Sequence, residues 1–192
     1  GSVSSFELYE EGRPSENSVK IVVDETSGTT YVGLNHVAMM GRGSRSQLVP
    51  QFAEYLGGTL LCINTEAEQS FIEGNWWNLG VTENIAYIGL ERDYRTDRVI
   101  WQDGTEVGDF FNYQIAGKNK CAVLTVGLWN ESKCFVGIES IEQDFVGYQA
   151  NVFVLELPAS NHRWTAEQIV REWENFESNH ANPDFYNNAI LN

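Results

Sequence analysis

The segment that decides the fold is Leu60-Leu61-Cys62-Ile63-Asn64-Thr65-Glu66-Ala67-Glu68, in which an apolar run gives way to a polar one. The four apolar residues at its start are typical of a short buried strand. Thr65 with Glu68 three residues later is the pattern of a capping box, so a helix should begin after Thr65. Phe71 and Ile72 would give that helix its buried face. We therefore expect a buried strand that leads directly into a helix.

Upstream of this segment, the sequence predicts two strands and another helix. Apolar residues recur at helical spacing across 47–56, and Gly57-Gly58 follows as a helix terminator. The β-prone stretches 19–23 and 29–37 precede the helix and predict strands. Residues 1–18 are polar, and we expect them to form a flexible N-terminal segment.

Downstream, strands dominate. The tight-turn pair Asp103-Gly104 lies among them. The predicted strands occupy 86–90, 97–101, 122–126 and 152–155. Helices early and strands late indicate an α+β fold rather than alternating βαβ units.

The C-terminal part predicts one more helix. Thr165 and Gln168 form another capping-box pattern. The apolar stripe of the helix consists of Ile169, Val170, Trp173 and Phe176. This stripe either packs on the domain or docks against a neighbouring domain or partner, and both alternatives stay open at this point.

The composition restricts the classes of partner. Among 192 residues, 27 are acidic and 12 are basic, which gives a formal charge of −15. Such a surface repels phosphate backbones, so we expect no nucleic-acid partner. No run of eighteen apolar residues occurs, so we expect no direct membrane insertion. The charge suits cations or cationic partners, or serves solubility alone.

Motifs for catalysis are missing, and we expect no enzyme. His36, His162 and His180 have no partner at metal-ligand spacing, and neither a nucleophile elbow nor a phosphate-binding loop occurs. The cysteine count is odd. Cys121 and Cys134 flank a short segment and are able to pair, whereas Cys62 lies in an apolar run and is expected to be a buried, inert thiol.

Taken in order, these motifs resemble the C-type lectin-like domain across residues 29–157. The matching pieces are Gly57-Gly58, the segment 60–68, Tyr87-Ile88-Gly89-Leu90, Trp101-Gln102-Asp103-Gly104-Thr105, Asn112-Tyr113, Cys121, Trp129-Asn130-Glu131-Ser132-Lys133-Cys134 and Phe153-Val154-Leu155-Glu156. The resemblance implies two helices flanking antiparallel sheets, with a long-loop region. We therefore expect a flexible segment over 1–18, a lectin-like domain over 19–158, and a helical extension over 159–192 that packs on it.

The resemblance also implies a disulfide between Cys121 and Cys134, the inner bridge of the family. The outer bridge of the family would need cysteines near Ala53 and at Leu155, and neither is present. Tyr87 replaces the tryptophan that usually begins the central strand motif. We expect a larger core and the C-terminal helix to compensate for the missing bridge.

Sugar-binding members of the family hold calcium through a Glu-Pro-Asn or Gln-Pro-Asp motif and a later Trp-Asn-Asp motif. Neither of the first two occurs between Asn112 and Cys121, and Asn130-Glu131 stands in place of Asn-Asp. The resemblance therefore implies no standard sugar site. Some members hold a second, structural calcium. Its ligands carried over to this chain are the Cys62 backbone, Asn64, Glu68 and Glu156.

These features lead to a hypothesis and two alternatives. The hypothesis is a binding or adhesion module, secreted or at the cell surface, that recognises a protein through its long-loop face without the sugar-type calcium. The residues expected to bind the ligand are Asn112, Gln114, Asn119, Trp129, Asn130 and Glu131. One alternative is a calcium-dependent glycan lectin with a non-standard site. The other is a display or scaffold domain whose tail helix exposes its apolar stripe to a neighbour.

Overall fold

The computed structural model describes residues 11–41, 48–81, 85–93, 98–106, 113–114, 121–125, 128–132 and 151–179. The helices are α1 (His36–Met40), α2 (Val49–Tyr55), α3 (Glu66–Gly74) and α4 (Ala166–Asn179). The strands are β1 (Val19–Val23), β2 (Thr30–Asn35), β3 (Thr59–Leu60), β4 (Ile85–Tyr87), β5 (Leu90–Asp93), β6 (Arg98–Trp101), β7 (Tyr113–Gln114), β8 (Cys121–Thr125), β9 (Leu128–Ser132) and β10 (Val152–Leu157). Short 3₁₀ turns cover Glu16–Ser18 and Trp77–Leu79.

In the described part of the chain, most strands form one sheet in the order β1-β2-β10-β4-β8-β9-β7, and β3 also pairs with β10. The pairing is mainly antiparallel, with parallel contacts between β10 and β4 and between β7 and β9. β5 and β6 form a separate antiparallel hairpin. The last strand in sequence is thus central, and the strands nearest the predicted ligand face form one end of the sheet.

Alternation along β10 divides the core into two clusters, because successive side chains of a strand point to opposite faces. Phe153, Leu155 and Leu157 join the cluster that α2 and α4 cover. Val152 and Val154 join the cluster that α3 covers. The predicted α+β architecture, with helices on both sides of an antiparallel-dominated sheet, is confirmed.

Helix α4 is an integral part of this core. Its residues Ile169, Trp173 and Phe176 are almost completely buried. The Trp173 ring meets Phe52 of α2 edge-on, with ring centroids 5.2 Å apart. The exposed stripe expected for a scaffold domain is therefore wrong, since α2 and the sheet already cover that face of the helix.

Residues 11–18 are the described part of the N-terminal segment that is expected to be flexible, and they contact the domain. The N–H of Gly12 donates to the carbonyl oxygen of Val37 at 3.0 Å, and Ser18 is fully buried. No helix in the described ranges is long and apolar enough to cross a membrane.

One predicted strand is interrupted. The sequence predicts one continuous strand over 86–90, yet β4 ends at Tyr87 and β5 begins at Leu90. The backbone of Gly89 leaves the ladder, because its N–H donates to Leu61 O at 2.8 Å and its carbonyl accepts from Gln102 N at 2.7 Å. These bonds fasten the hairpin β5–β6 to the segment that follows β3.

Candidate functional site

The end of the sheet formed by β7, β8 and β9 carries the described part of the predicted ligand face. Gln114 of β7 pairs with Asn130 of β9, and Tyr113 pairs with Trp129. On the other side of β9, Glu131 pairs with Ala122 of β8. For these strands the structure describes the backbone, and Asn112 and Asn119 lie outside the described residues. The register thus brings Gln114 and Asn130 side by side.

The predicted disulfide also touches this end of the sheet. Cys121 begins β8 and pairs with Ser132 at the end of β9. Cys134 lies outside the described residues, so its bridge to Cys121 stays a prediction.

A second group of predicted residues meets on the α3 side of the sheet, where Glu156 of β10 is the central member. It shares its face with Val152 and Val154, because the three residues alternate along the strand. The N–H of Cys62 donates a hydrogen bond to the Glu156 carboxylate. Its Oε1 atom is buried and has no hydrogen-bond partner among the described residues.

Burial and neighbouring negative charges raise the pKa of Glu156 to about 8. Desolvation is the largest cause, followed by the charges of Glu68 and Asp103. A carboxylate in this position is unfavourable by itself, since water is excluded and other anions are near. Such a group gains stability either from a proton or from a bound cation.

Glu68 faces Glu156 from the first turn of α3. The helix cap forms as expected in one direction: the N–H of Glu68 donates to Thr65 Oγ1 at 3.1 Å. The Glu68 carboxylate, however, accepts from the N–H of Asn64 rather than from that of Thr65. Burial raises its pKa, and the charges of Asp103 and Asp24 add to the effect. The two carboxylates are therefore held by N–H groups two residues apart, those of Cys62 and Asn64.

The calcium ligands that the resemblance implies include this pair of carboxylates. Within the described ranges, no three His, Cys, Asp or Glu side chains form a metal-binding group. The predicted set has two carboxylates, Glu68 and Glu156, with the amide of Asn64 as the third side chain. The buried Oε1 of Glu156 is a ligand atom of the kind a hard cation needs. Sequence reasoning missed Asp103, whose charge lies near Glu156 because the β5–β6 hairpin folds over this segment. The Asp103-Gly104 pair predicts a turn in the sequence but does not show which residues the turn approaches.

Cys62, whose N–H donates to Glu156, has an inert side chain. It is free and completely buried. Burial raises its thiol pKa to about 12, so almost no thiolate forms near neutral pH. The expectation of a small buried hydrophobe in place of a nucleophile is confirmed.

The adjacent tryptophans Trp76 and Trp77 follow α3 and differ in burial. Trp76 is buried and belongs to the cluster under α3. Trp77 is 52% exposed, which makes it the most exposed large hydrophobic side chain among the described residues.

Comparisons with known proteins found similar solved structures. No protein-family model matches the sequence, and no curated protein does. Human lithostathine is similar in structure with a TM-score of 0.52 and 15% identity, over 72% of this chain and 97% of that chain. The mouse scavenger receptor C-type lectin carbohydrate-recognition domain aligns with a TM-score of 0.47 and 20% identity, over 71% of this chain and 94% of that chain. The calcium-independent C-type lectin SPL-2 from Saxidomus purpuratus aligns with a TM-score of 0.47 and 18% identity, over 70% and 89%. The element order, the sheet and the likeness to lithostathine together show that this chain has a C-type lectin-like fold.

Proposed function

We propose that the chain is an extracellular binding module, not an enzyme, and that it recognises a protein through the face at 112–131. The observation that carries the proposal is the register of β7 on β9, which sets Gln114 beside Asn130 at the end of the sheet. Polar residues at adjacent positions of neighbouring strands can contact one ligand together.

A protein ligand is favoured over a calcium-bound sugar by the chemistry of the same face. The connection between Gln114 and Cys121 is short, lacks the Glu-Pro-Asn motif and contains Lys118 and Lys120. Two ammonium groups disfavour a bound divalent cation. The alternative, a calcium-dependent lectin with a non-standard site, would have to draw ligands from Asn130 and Glu131 in spite of the two lysines that the connection carries.

The proposal is tested by screening the purified chain against an array of extracellular proteins and a glycan array, each with calcium and with EDTA. We expect a protein hit that is insensitive to EDTA and is weakened at least tenfold by Gln114→Ala or Asn130→Ala. The matched control is Glu174→Ala on the exposed face of α4, which should leave binding unchanged. Calcium-dependent glycan binding that is lost in Asn130→Ala would replace the proposal with the lectin alternative.

We also propose that one structural calcium binds between Glu68, Glu156, Asn64 and the carbonyl of Cys62. The support is the unpartnered Oε1 of Glu156 together with the nearby Glu68 carboxylate. The cation would neutralise the two carboxylates and tie α3 to β10, and it would take no part in ligand contact at 112–131.

Thermal unfolding tests this calcium. We expect the Tm to rise by several degrees with millimolar calcium and to fall on addition of EDTA, with no rise from magnesium, which prefers a rigid octahedral site. In Glu156→Gln the response to calcium should vanish. An equal response to calcium in wild type and variant would contradict the assignment.

A further inference from the structure

Strand β9 contains an acceptor motif for N-linked glycosylation, Asn130-Glu131-Ser132. The motif is an asparagine followed two residues later by serine or threonine, with any residue except proline between them. It occurs once in the 192 residues. In a secreted chain, such an asparagine can carry an oligosaccharide on its side-chain nitrogen. Because three residues are a short pattern, the position of Asn130 in the sheet is the second observation that the assignment needs.

Asn130 lies where a row of paired residues across the sheet changes from apolar to polar. Paired residues of neighbouring strands share a face, and from β10 to β7 this row consists of Phe153, Tyr87, Val123, Asn130 and Gln114. Phe153 and Tyr87 are buried in the cluster that α2 and α4 cover. The row is apolar as far as β8 and polar at β9 and β7. Such a change is typical of the place where a hydrophobic core ends and solvent begins.

The adjacent row lies on the opposite face and stays apolar to the end of the sheet. It consists of Ala86, Leu124, Trp129 and Tyr113. Ala86 is completely buried in the cluster that α3 covers, so this row continues the core. Because residues alternate between the faces of a strand, Ser132 shares the face of Asn130. Both residues that define the motif therefore lie on the face where the core ends.

The helices on the Asn130 face lie over other strands of the described sheet. Helix α2 contacts β3 and β10, and α4 contacts β1. In the sheet order β9 is the third strand from β10, which corresponds to about 14 Å. A glycan on β9 can therefore extend from the sheet without displacing the cluster that α2 and α4 cover.

We propose that Asn130 is a site of N-linked glycosylation. The proposal rests on the proposed extracellular role, because the modification belongs to secreted chains. The donor is an oligosaccharide whose first sugar is joined through its C1 carbon to a lipid diphosphate. The Nδ2 atom of Asn130 forms a bond to C1 and releases one proton, while the bond between C1 and the diphosphate oxygen breaks and the lipid diphosphate leaves. No atom is oxidised or reduced.

The test is to secrete the full chain from eukaryotic cells and to analyse the peptide that contains Asn130 by mass spectrometry. We expect an oligosaccharide on this residue that peptide N-glycosidase removes, leaving an aspartate in its place. Ser132→Ala should lose the glycan although the asparagine remains, whereas Ser132→Thr should keep it. The matched control is Ser178→Ala, which changes an exposed serine outside the motif and should leave the glycan in place.

A secreted wild-type chain with unmodified Asn130 would overturn the proposal, and so would a glycan that survives in Ser132→Ala. Asn130→Gln should also lose the glycan, and the wild-type peptide alone decides the question if neither variant is secreted. The protein-array screen uses chain produced in bacteria, in which this asparagine stays unmodified. A failure of the binding proposal and a failure of the glycosylation site are therefore separate results.

Discussion

Gly58 is a position where a single atom decides the packing. A Cβ at this residue would overlap the carbonyl oxygen of Glu156 and lie 2.8 Å from Leu157 Cδ2. The close approach of the two backbones is what lets β3 pair with β10 directly after α2. Gly58 of the pair that ends α2 therefore also allows β3 to lie close to β10, which its role as a helix terminator does not predict.

Replacing Gly58 by alanine should lower the free energy of unfolding by about 3 kcal/mol, since backbone must move to relieve the overlap. The matched control is Gly74→Ala at the end of α3, where a Cβ meets no atom within 4 Å. That control should change stability by less than about 1 kcal/mol. Urea denaturation of both variants measures the difference, and equal values would contradict the close approach.

Glu156 should make stability depend on pH when calcium is removed. Its folded pKa of about 8 lies above the ordinary value of 4.5, so the folded state keeps a proton that the unfolded state has released. Stability from this group is therefore full below about pH 4.5 and falls as the pH rises towards 8, by about 2–4 kcal/mol after allowance for solvent screening.

Glu156→Gln keeps the shape of the side chain without its charge. In EDTA, the difference in unfolding free energy between variant and wild type should grow in favour of the variant from about pH 5 to pH 8. Denaturant titrations at several pH values measure this difference. A difference that is constant across the range would show that Glu156 is an ordinary exposed carboxylate.

At the scale of elements, packing takes the place of a missing bridge. The positions near which the outer disulfide of the family would lie, Ala53 of α2 and Leu155 of β10, belong to the same buried cluster. Trp173 and Phe176 of α4 cover that cluster through Phe52, and Tyr55 of α2 donates to Glu172 of α4 at 2.8 Å. Helix α4 thus stabilises the contact between α2 and the sheet.

Trp173→Ala should destabilise the domain by about 3–5 kcal/mol, because it leaves a large cavity in this cluster. Glu174 is the next residue and lies on the exposed face of α4. The free energy of unfolding of Glu174→Ala should stay within about 0.5 kcal/mol of the wild-type value. Thermal or chemical unfolding separates the two variants. If Trp173→Ala were as mild as Glu174→Ala, α4 would be a peripheral attachment.

A thiol count tests the bridge proposed between β8 and the segment after β9. With Cys121 and Cys134 paired, Cys62 is the remaining thiol. Ellman's reagent should detect no thiol in the native protein, since Cys62 is buried with a thiol pKa raised to about 12. In guanidinium without reductant it should detect one thiol per chain, whereas three would exclude the disulfide.

At the scale of the whole molecule, the sequence predicted helices, strands and caps better than it predicted contacts between residues that are far apart in the chain. The Thr165–Gln168 cap forms in both directions, at 3.1 and 3.2 Å, because a cap depends on residues three apart. The position of Asp103 near Glu156 was not predictable, since it depends on how the β5–β6 hairpin crosses the segment after β3. The break at Gly89 was missed for the same reason: its hydrogen bonds go to Leu61 and Gln102, which local periodicity cannot show.

The residues of the candidate sites also differ in how far the sequence could predict them. The resemblance named Glu68 and Glu156 from motifs alone, and the fold brings the two carboxylates near each other. The exposure of Trp77 was open from sequence, because either of two adjacent tryptophans can face the core. Its partner Trp76 is the buried one, since the turn that follows α3 directs it towards Leu79 and Val81.

A crystal structure of the chain grown with millimolar calcium tests the central claim, a lectin-like fold without the sugar-type calcium. We expect calcium between Glu68 and Glu156, at oxygen distances of about 2.3–2.6 Å, and none at Asn130 and Glu131. Calcium held by Asn130 and Glu131 beside Gln114, with an open position for sugar hydroxyls, would contradict it.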